Sequence, residues 1–193
     1  MIENNIKRNQ LKEEKKLTKQ SINKKRIMNK EVLDLLNEQI WLENHSSCFY
    51  LDLAIEFADN GFNGISKFFF AQSEEERQHM LKLIDYVLER DGKPIIPQYN
   101  YMEPSEETFD VLFHFECALN QEVKVSEQVS NVVYKAREVS DIMTDNFMQW
   151  FVNEQREEEA KFKDIIDKLK MVGDNGLAIY EIDKELGSLP TEE

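Results

Sequence analysis

Four long stretches with helical periodicity dominate this sequence, and each carries an apolar stripe that is interrupted at its middle. They cover about residues 31–59, 62–90, 106–139 and 141–172. Within each stretch the apolar residues recur at spacings of three and four, which places them on one face of a helix. Helices with one apolar face bury it against each other, and four helices of roughly 45 Å favour a bundle.

The segments between these stretches predict the topology. The predicted helix stops are Asn60-Gly61, Asp91-Gly92 and the pair Gly173 and Gly176. Residues 91–106 contain three prolines and cannot continue a helix, so we expect a crossover along the length of the bundle. Ser105 is predicted to cap the third helix. A short fifth helix is predicted over about residues 177–187, which completes an all-α, four-helix bundle with one long crossover connection.

Length and charge divide the chain into two parts. We predict a basic, disordered tail over residues 1–27 and a single domain over residues 28–193. Residues 1–30 hold ten Lys or Arg against three acidic residues, whereas the net charge of the whole chain is −14. Such an acidic body repels nucleic acid and attracts cations, so we expect metal ions rather than nucleic acid as partners. The alternative for the tail is a basic arm that contacts DNA or a neighbouring subunit.

Other features of the sequence indicate a cytoplasmic protein. No apolar run approaches the roughly 18 residues of a membrane span, and the first residues show no apolar segment of a secretory signal. Cys48 and Cys117 are far apart and flanked by apolar residues. We interpret both as small core residues in a reducing compartment, with a disulfide between them as the less favoured alternative.

The polar interruptions of the four stripes predict a metal site. Because they fall at similar distances from the helix starts, their side chains can converge in one layer. Burying four carboxylates without a cation would raise their pKa values steeply and destabilise the bundle, whereas two divalent ions would balance them. An oxygen-rich ligand set with one imidazole favours iron or manganese. The interrupting residues are Glu43, Glu76, His79, Glu122, Gln155 and Glu158.

Any one of these residues alone has a simpler explanation, namely a polar layer that fixes helix register or a solvated face. Four stripes interrupted at one height make that explanation improbable. Helical bundles that bind two metals through carboxylates use one Glu from each of two helices and Glu-x-x-His from the other two. This chain has one such motif, at Glu76 and His79, while Gln155-x-x-Glu158 replaces the second.

The chain from about residue 29 to residue 189 resembles bacterial non-haem ferritins, the ferritin-like di-iron carboxylate family. The resemblance implies that one iron is held by Glu43, Glu76 and His79, and the second by Glu76, Glu122 and Glu158. It further implies that Gln155 lies beside the second iron and that Tyr50 is a redox-active tyrosine. The stretches that carry it are LNEQIWLENHSSCFY (36–50), EEERQHM (74–80), ALNQEVKVS (118–126), FMQWFVNEQREEEAKFKDIIDKL (147–169) and IDKELGSL (182–189).

Three further carboxylates match a third iron site of bacterial members: Glu75, Glu154 and Glu157. Without the resemblance, an exposed acidic face would be the default account of these three. Asp141, at the start of the fourth helix, matches the acidic lining of ion-entry pores. A helix N-terminus favours an acidic residue in any case, so helix capping explains Asp141 equally well.

The resemblance implies an iron-storage protein with ferroxidase activity. Fe(II) would enter a hollow homo-oligomeric shell of 24 subunits, be oxidised by O2 or peroxide at the dinuclear centre, and be deposited inside as ferric oxyhydroxide. The fifth helix would line an assembly axis of this shell.

The sequence leaves alternatives within and outside this function. A haem-containing bacterioferritin would have histidine where this chain has Glu158, so no haem is expected. A rubrerythrin-like peroxidase would need a Cys-rich segment that the sequence lacks. A DNA-protecting miniferritin would have a helix in the crossover and no fifth helix. A non-catalytic shell subunit would have lost ligands that are present here.

Overall fold

The computed structural model describes residue 12, residues 28–96 and residues 109–189. The described residues form five α-helices and no β-strand, which confirms the all-α prediction. The predicted tail, apart from Lys12, and residues 97–108 of the predicted crossover lie outside the described residues. The helices are α1 Lys30–Asp59, α2 Asn63–Glu89, α3 Val111–Glu138, α4 Ile142–Val172 and α5 Gly176–Leu186.

Helices that are consecutive in the sequence pack against each other in pairs. α1 packs most extensively against α2, and α3 packs against α4, while α1 also contacts α3. Each pair is joined by only three residues, 60–62 and 139–141, and connections this short join antiparallel neighbours. α5 packs across α2 and α4. This arrangement is a four-helix bundle with a short fifth helix.

Short polar side chains begin four of the five helices. The side chains of Asn29, Asp110, Asp141 and Asn175 each accept a hydrogen bond from a backbone N–H in the first turn that follows. Asp141 also pairs with Arg90 Nη2 at 3.0 Å. Helix capping and this ion pair are enough to explain an acidic residue at position 141.

The start of α3 differs from the prediction. A continuous helix from about residue 106 is wrong, because Phe109 and Asp110 are not helical and α3 begins at Val111. Asp110 Oδ1 accepts from the Phe113 N–H at 2.9 Å and so caps the helix. The Phe109 ring packs against Phe57, with ring centroids 5.2 Å apart. Ser105, the predicted cap, lies outside the described residues.

α5 is fixed to the bundle by one buried carboxylate. Asp183 Oδ1 accepts hydrogen bonds from the backbone N–H groups of Gly64 and Ile65, both at 2.8 Å. These two N–H groups lie in the first turn of α2, where helical partners are missing. A Cβ on Gly64 would lie 1.7 Å from the Asp183 carbonyl oxygen, so the close approach requires glycine.

The interior consists of two apolar clusters with a polar layer between them. The stripes of α2, from Ile65 to Tyr86, and of α4, from Met148 to Leu169, are buried as expected. On α1, Val32 and Ser46 are buried, whereas Leu33 and Ser47, which the periodicity placed on the stripe, are half-buried. Cys48 and Cys117 form no disulfide and are only half-buried, so their prediction as core residues is wrong. One cluster, here called the aromatic cluster, is formed mainly by Tyr50, Phe57, Phe68, Phe69, Phe115, Phe162 and neighbouring aliphatic residues. The other is mainly aliphatic and includes Val32, Leu36, Ile40, Leu83, Val125, Val129 and Val132.

Candidate metal centre

The six residues that interrupt the four stripes are all buried between the two clusters. α1 contributes one of them, α2 two, α3 one and α4 two. None is more than 4% exposed, although five are acidic or basic side chains. They are Glu43, Glu76, His79, Glu122, Gln155 and Glu158.

Three of these side chains form one compact group. Ligand atoms of Glu43, Glu76 and His79 all lie within 4.8 Å of one another. His79 Nδ1 is 3.2 Å from Glu76 Oε2, which the spacing of three residues on α2 permits. Gln39 Nε2, one turn before Glu43, donates to Glu43 Oε1 at 2.8 Å. The ring of Trp150 meets the imidazole edge-on, with centroids 5.3 Å apart, and restricts its rotation.

Glu122 on α3 is held by two hydrogen-bond donors. The Tyr50 hydroxyl donates to Glu122 Oε1, and Gln155 Nε2 donates to Glu122 Oε2 at 2.9 Å. These donors come from α1 and α4, so three helices fix the orientation of one carboxylate. The Tyr50 ring itself belongs to the aromatic cluster and stacks on Phe162 at 5.8 Å.

Glu158 is held by a lysine and an amide. Lys161 Nζ donates to Glu158 Oε1 at 2.6 Å, and Gln72 Nε2 donates to Glu158 Oε2 at 3.3 Å. Gln72 Nε2 also donates to Glu75 Oε2 at 2.8 Å. Both oxygens of Glu158 therefore have protein partners, which distinguishes it from the carboxylates of the first group.

Several oxygens of the centre have no hydrogen-bond partner. Among the described residues, Glu43 Oε2, Glu76 Oε1 and Gln155 Oε1 are fully enclosed and accept no hydrogen bond from an amide, hydroxyl or ammonium group. The Glu43 and Glu76 carboxyls can hydrogen-bond to each other when one of them is protonated. An unpartnered buried acceptor costs about 1–3 kcal/mol, and a charged one costs more. Three such oxygens in one layer fit a site whose ligand atoms are kept available for hard cations.

Burial also shifts the acidity of the centre. It raises the pKa of Glu43 and Glu76 well above the ordinary value, with the proximity of other carboxylates adding to the effect. Burial likewise raises the pKa of Glu122, against the hydrogen bonds from Tyr50 and Gln155. It raises the pKa of Glu158 to about 7 even though Lys161 acts in the opposite direction. A divalent cation in this layer would stabilise the ionised forms and displace their protons.

The residues expected at a third site are brought together only in part. Ligand atoms of Glu75 and Glu154 lie within 4.8 Å of each other and of His79. Glu157 is exposed and pairs with Arg156 Nη2 at 3.2 Å. The grouping of Glu75 and Glu154 with His79 was not expected from the sequence.

Comparison with known proteins identifies the family. The family model of the ferritin-like domain matches residues 33–172, which make up most of the chain and include all six residues of the centre.

The chain belongs to the ferritin-like family.

Named relatives agree with this assignment. A probable bacterial non-heme ferritin-like protein of Haemophilus influenzae is 35% identical over 166 residues, covering 86% of this chain and 99% of that protein. The bacterial non-heme ferritin of Escherichia coli O6:H1 is 34% identical over 167 residues, with the same coverage. An engineered closed form of the Archaeoglobus fulgidus ferritin superposes with a TM-score of 0.79 at 35% identity, over 86% of this chain and 99% of that one.

This ferritin-like chain also contains residues of the centre that the stripes did not reveal. Gln39 lies one turn before Glu43 and donates to it, and Gln72 lies three residues before Glu75 and donates to that carboxylate along the helix. Lys161 follows Glu158 by three residues and folds back onto it. A search for amides and cations three or four residues from each predicted ligand would have found all three.

Within the described part of the chain, no helix is long and apolar enough to cross a bilayer.

Proposed function

We propose that this protein stores iron and that its buried centre is a ferroxidase site, which oxidises Fe(II) before the iron is deposited. The observation that supports this most directly is the set of unpartnered carboxylate oxygens on Glu43 and Glu76 inside a dry bundle. Membership of the ferritin-like family supports iron as the metal.

In this proposal, two irons bind side by side and share one carboxylate. Glu43, Glu76 and His79 hold the first, in agreement with the grouping of their ligand atoms. Glu76, Glu122 and Glu158 hold the second, with Gln155 beside it. Glu76 would bridge the two, since it lies in the first group and, after burial, the charge of nearby Glu122 contributes most to raising its pKa.

Two adjacent irons suit the reaction. Each Fe(II) loses one electron, and O2 takes up both electrons and two protons to become hydrogen peroxide; peroxide is the alternative oxidant. The protein contributes a pocket that holds both metals close together and excludes water. Fe(III) then moves inward and forms a ferric oxyhydroxide mineral.

Tyr50 is proposed as the redox-active residue next to the centre. Its hydroxyl donates to Glu122, so an electron could pass from the ring to the O2 or peroxide reduced at the centre while the proton passes to a carboxylate already in contact. Burial, followed by the charge of Glu122, raises the pKa of the Tyr50 hydroxyl well above its ordinary value. The phenol therefore stays protonated at neutral pH, as a coupled loss of proton and electron requires.

We propose Glu75, Glu154 and Glu157 as a third, weaker iron site. The proximity of Glu75 and Glu154 supports it, whereas the pairing of Glu157 with Arg156 requires that side chain to turn. The site would receive iron leaving the dinuclear pair.

We further propose that the chain assembles into a hollow 24-subunit homo-oligomer in the cytoplasm. Large apolar side chains that are exposed on the single subunit would be covered by neighbouring copies. The absence of a disulfide at Cys48 and Cys117 suits a reducing compartment. Examples of the exposed apolar side chains are Ile55, Leu88, Tyr134, Ile142, Met143 and Met171.

The decisive experiment compares Glu76→Ala with Glu74→Ala. Glu76 is the bridging ligand, whereas Glu74 is exposed and bonded to Arg77. We expect Glu76→Ala to slow O2-dependent Fe(II) oxidation by roughly a hundredfold or more. Removing only a hydrogen-bond partner of a metal ligand already lowers metal affinity or activity by about 10–100-fold, and Glu76 is a proposed ligand itself. Glu74→Ala should oxidise at the parent rate. Oxygen uptake and Fe(III) absorbance measure the reaction, and particle size confirms assembly.

An unchanged oxidation rate in an assembled Glu76→Ala shell would refute the bridging role. A parent protein that assembles but oxidises no faster than free Fe(II) would instead identify a non-catalytic shell subunit.

A further inference from the structure

Lys161 places an ammonium group at the edge of the centre. Its Nζ lies 2.6 Å from Glu158 Oε1 and 3.5 Å from Glu75 Oε2, so it stands between two carboxylates. It also donates to Gln72 Oε1 at 3.1 Å. Its side chain is 34% exposed, so it reaches the centre from the protein surface.

Gln72 closes this arrangement into a ring. Its amide oxygen accepts from Lys161, while its amide nitrogen donates to Glu75 at 2.8 Å and Glu158 at 3.3 Å. Both carboxylates are thereby oriented towards one point that a positive charge already occupies. By contrast, Glu43 Oε2 and Glu76 Oε1 accept no hydrogen bond from an ammonium group.

We propose that Lys161 competes with a third metal ion for Glu75 and Glu158, so that only two divalent cations bind tightly and the third site proposed above stays weak. The inference rests on the proposed function, because it concerns metal binding beside the dinuclear pair. A third ion bound to both Glu75 and Glu158 would lie where Lys161 Nζ lies, because Nζ contacts both carboxylates. The ion must therefore displace the ammonium group, since two cations in contact with the same carboxylates repel one another.

The competition is reversible because of the chemistry of lysine. Four rotatable bonds and a well-hydrated ammonium allow the side chain to swing into solvent when a third ion arrives. Lys161 therefore acts as a specificity-determining residue for metal stoichiometry and contributes no ligand itself. Removing its charge should expose Glu75 and Glu158 to a third cation.

Anaerobic titration of the assembled protein with Fe(II) tests this directly, with bound and free iron measured after separation. The parent should saturate at two tightly bound ions per subunit. Lys161→Met and Lys161→Gln, which remove the charge, should saturate at three, with the third bound roughly a hundredfold more tightly than in the parent. Lys161→Arg keeps a cation and should remain at two.

Lys163→Met is the matched control. Lys163 lies two residues away and its Nζ contacts Glu159 at 2.7 Å, on the exposed surface. The variant removes the same charge from the same helix, so it should bind two ions as the parent does. A third tight ion in this variant would show that net charge alone sets the stoichiometry.

Two results would overturn the proposal: three tight ions in the parent, or two in both neutral Lys161 variants with assembly intact. Neither result affects the dinuclear centre. A parent that binds no Fe(II) tightly would overturn the proposed function instead, so the two failures are distinct.

Discussion

The aromatic cluster and the metal centre occupy adjacent levels of one bundle, and they contribute to stability in opposite directions. In the aromatic cluster the Phe69 ring has five aromatic neighbours at centroid distances of 5.1–6.4 Å, and it is fully buried. In the metal centre, equally buried carboxylates have raised pKa values and oxygens without partners. The apolar levels stabilise the fold, and the polar level destabilises it until cations bind.

Tyr50 joins the two levels. Its ring packs with Phe69 and Phe162, while its hydroxyl contacts Glu122. The close packing of the ring fixes the hydroxyl, and the hydroxyl fixes a proposed ligand. The packed apolar levels on both sides therefore hold the polar atoms of the four helices in place.

The largest expected effect is on the aromatic side of this comparison. Phe69→Ala removes a fully buried ring and should lower the free energy of unfolding by about 3–5 kcal/mol. Urea denaturation of the metal-free protein measures this loss. The number of tightly bound Fe(II) ions in the folded variant should stay at two, and a reduced number would show that the two levels are less independent than their contacts indicate.

The pH dependence of stability should come from the polar side. Folding raises the pKa of Glu158 from 4.5 to about 7, so the folded protein binds more protons than the unfolded chain between these values. Stability of the metal-free protein is therefore greatest below pH 4.5 with respect to this group, and it falls as the pH rises to 7. The shift corresponds to about 3 kcal/mol.

Unfolding measured across this pH range should show that decline in the parent and a shallower one in Glu158→Gln. The neutral amide cannot titrate, so an unchanged slope in the variant would assign the decline to other carboxylates.

A smaller and more selective effect is expected from His79→Ala. The substitution removes one ligand of the first iron and leaves Glu76, Glu122 and Glu158 for the second. We expect the affinity for one Fe(II) to fall by roughly tenfold, while the other changes little. Anaerobic titration resolves the two steps. Equal losses at both steps would contradict the division of ligands between the two irons.

The smallest effect is expected two residues from the bridging ligand. Glu74 is exposed and accepts hydrogen bonds from Arg77 at 2.8 Å and 2.9 Å, which lower its pKa to about 2. Solvent screens such an ion pair, so Glu74→Gln should change neither the unfolding midpoint nor the iron stoichiometry measurably. A clear change in either would mean that Glu74 contacts the centre through an arrangement absent from the single subunit.

Much of the fold could be predicted because periodicity is a local property of the sequence. The stripe of α2, from Ile65 to Tyr86, is buried as expected, and the stops at Asn60-Gly61 and Gly173 hold. The predicted start of α3 was wrong because the segment before it offers more than one capping residue, among them Ser105 and Asp110. The packing of Phe109 on Phe57, which is remote in sequence, decides among them.

The sequence by itself determined which residues interrupt the stripes, and hence which side chains share one buried level. The spacing along each helix is enough for that, because 3.6 residues per turn assign each side chain to a face.

Only the tertiary structure decided which partner each carboxylate has. Tyr50 reaches Glu122 from another helix, and Gln72 on α2 reaches Glu158 on α4. The relative rotation and height of the packed helices set these distances. No pattern within a single helix encodes that rotation, which is why the position of Lys161 between Glu75 and Glu158 emerged only from the folded chain.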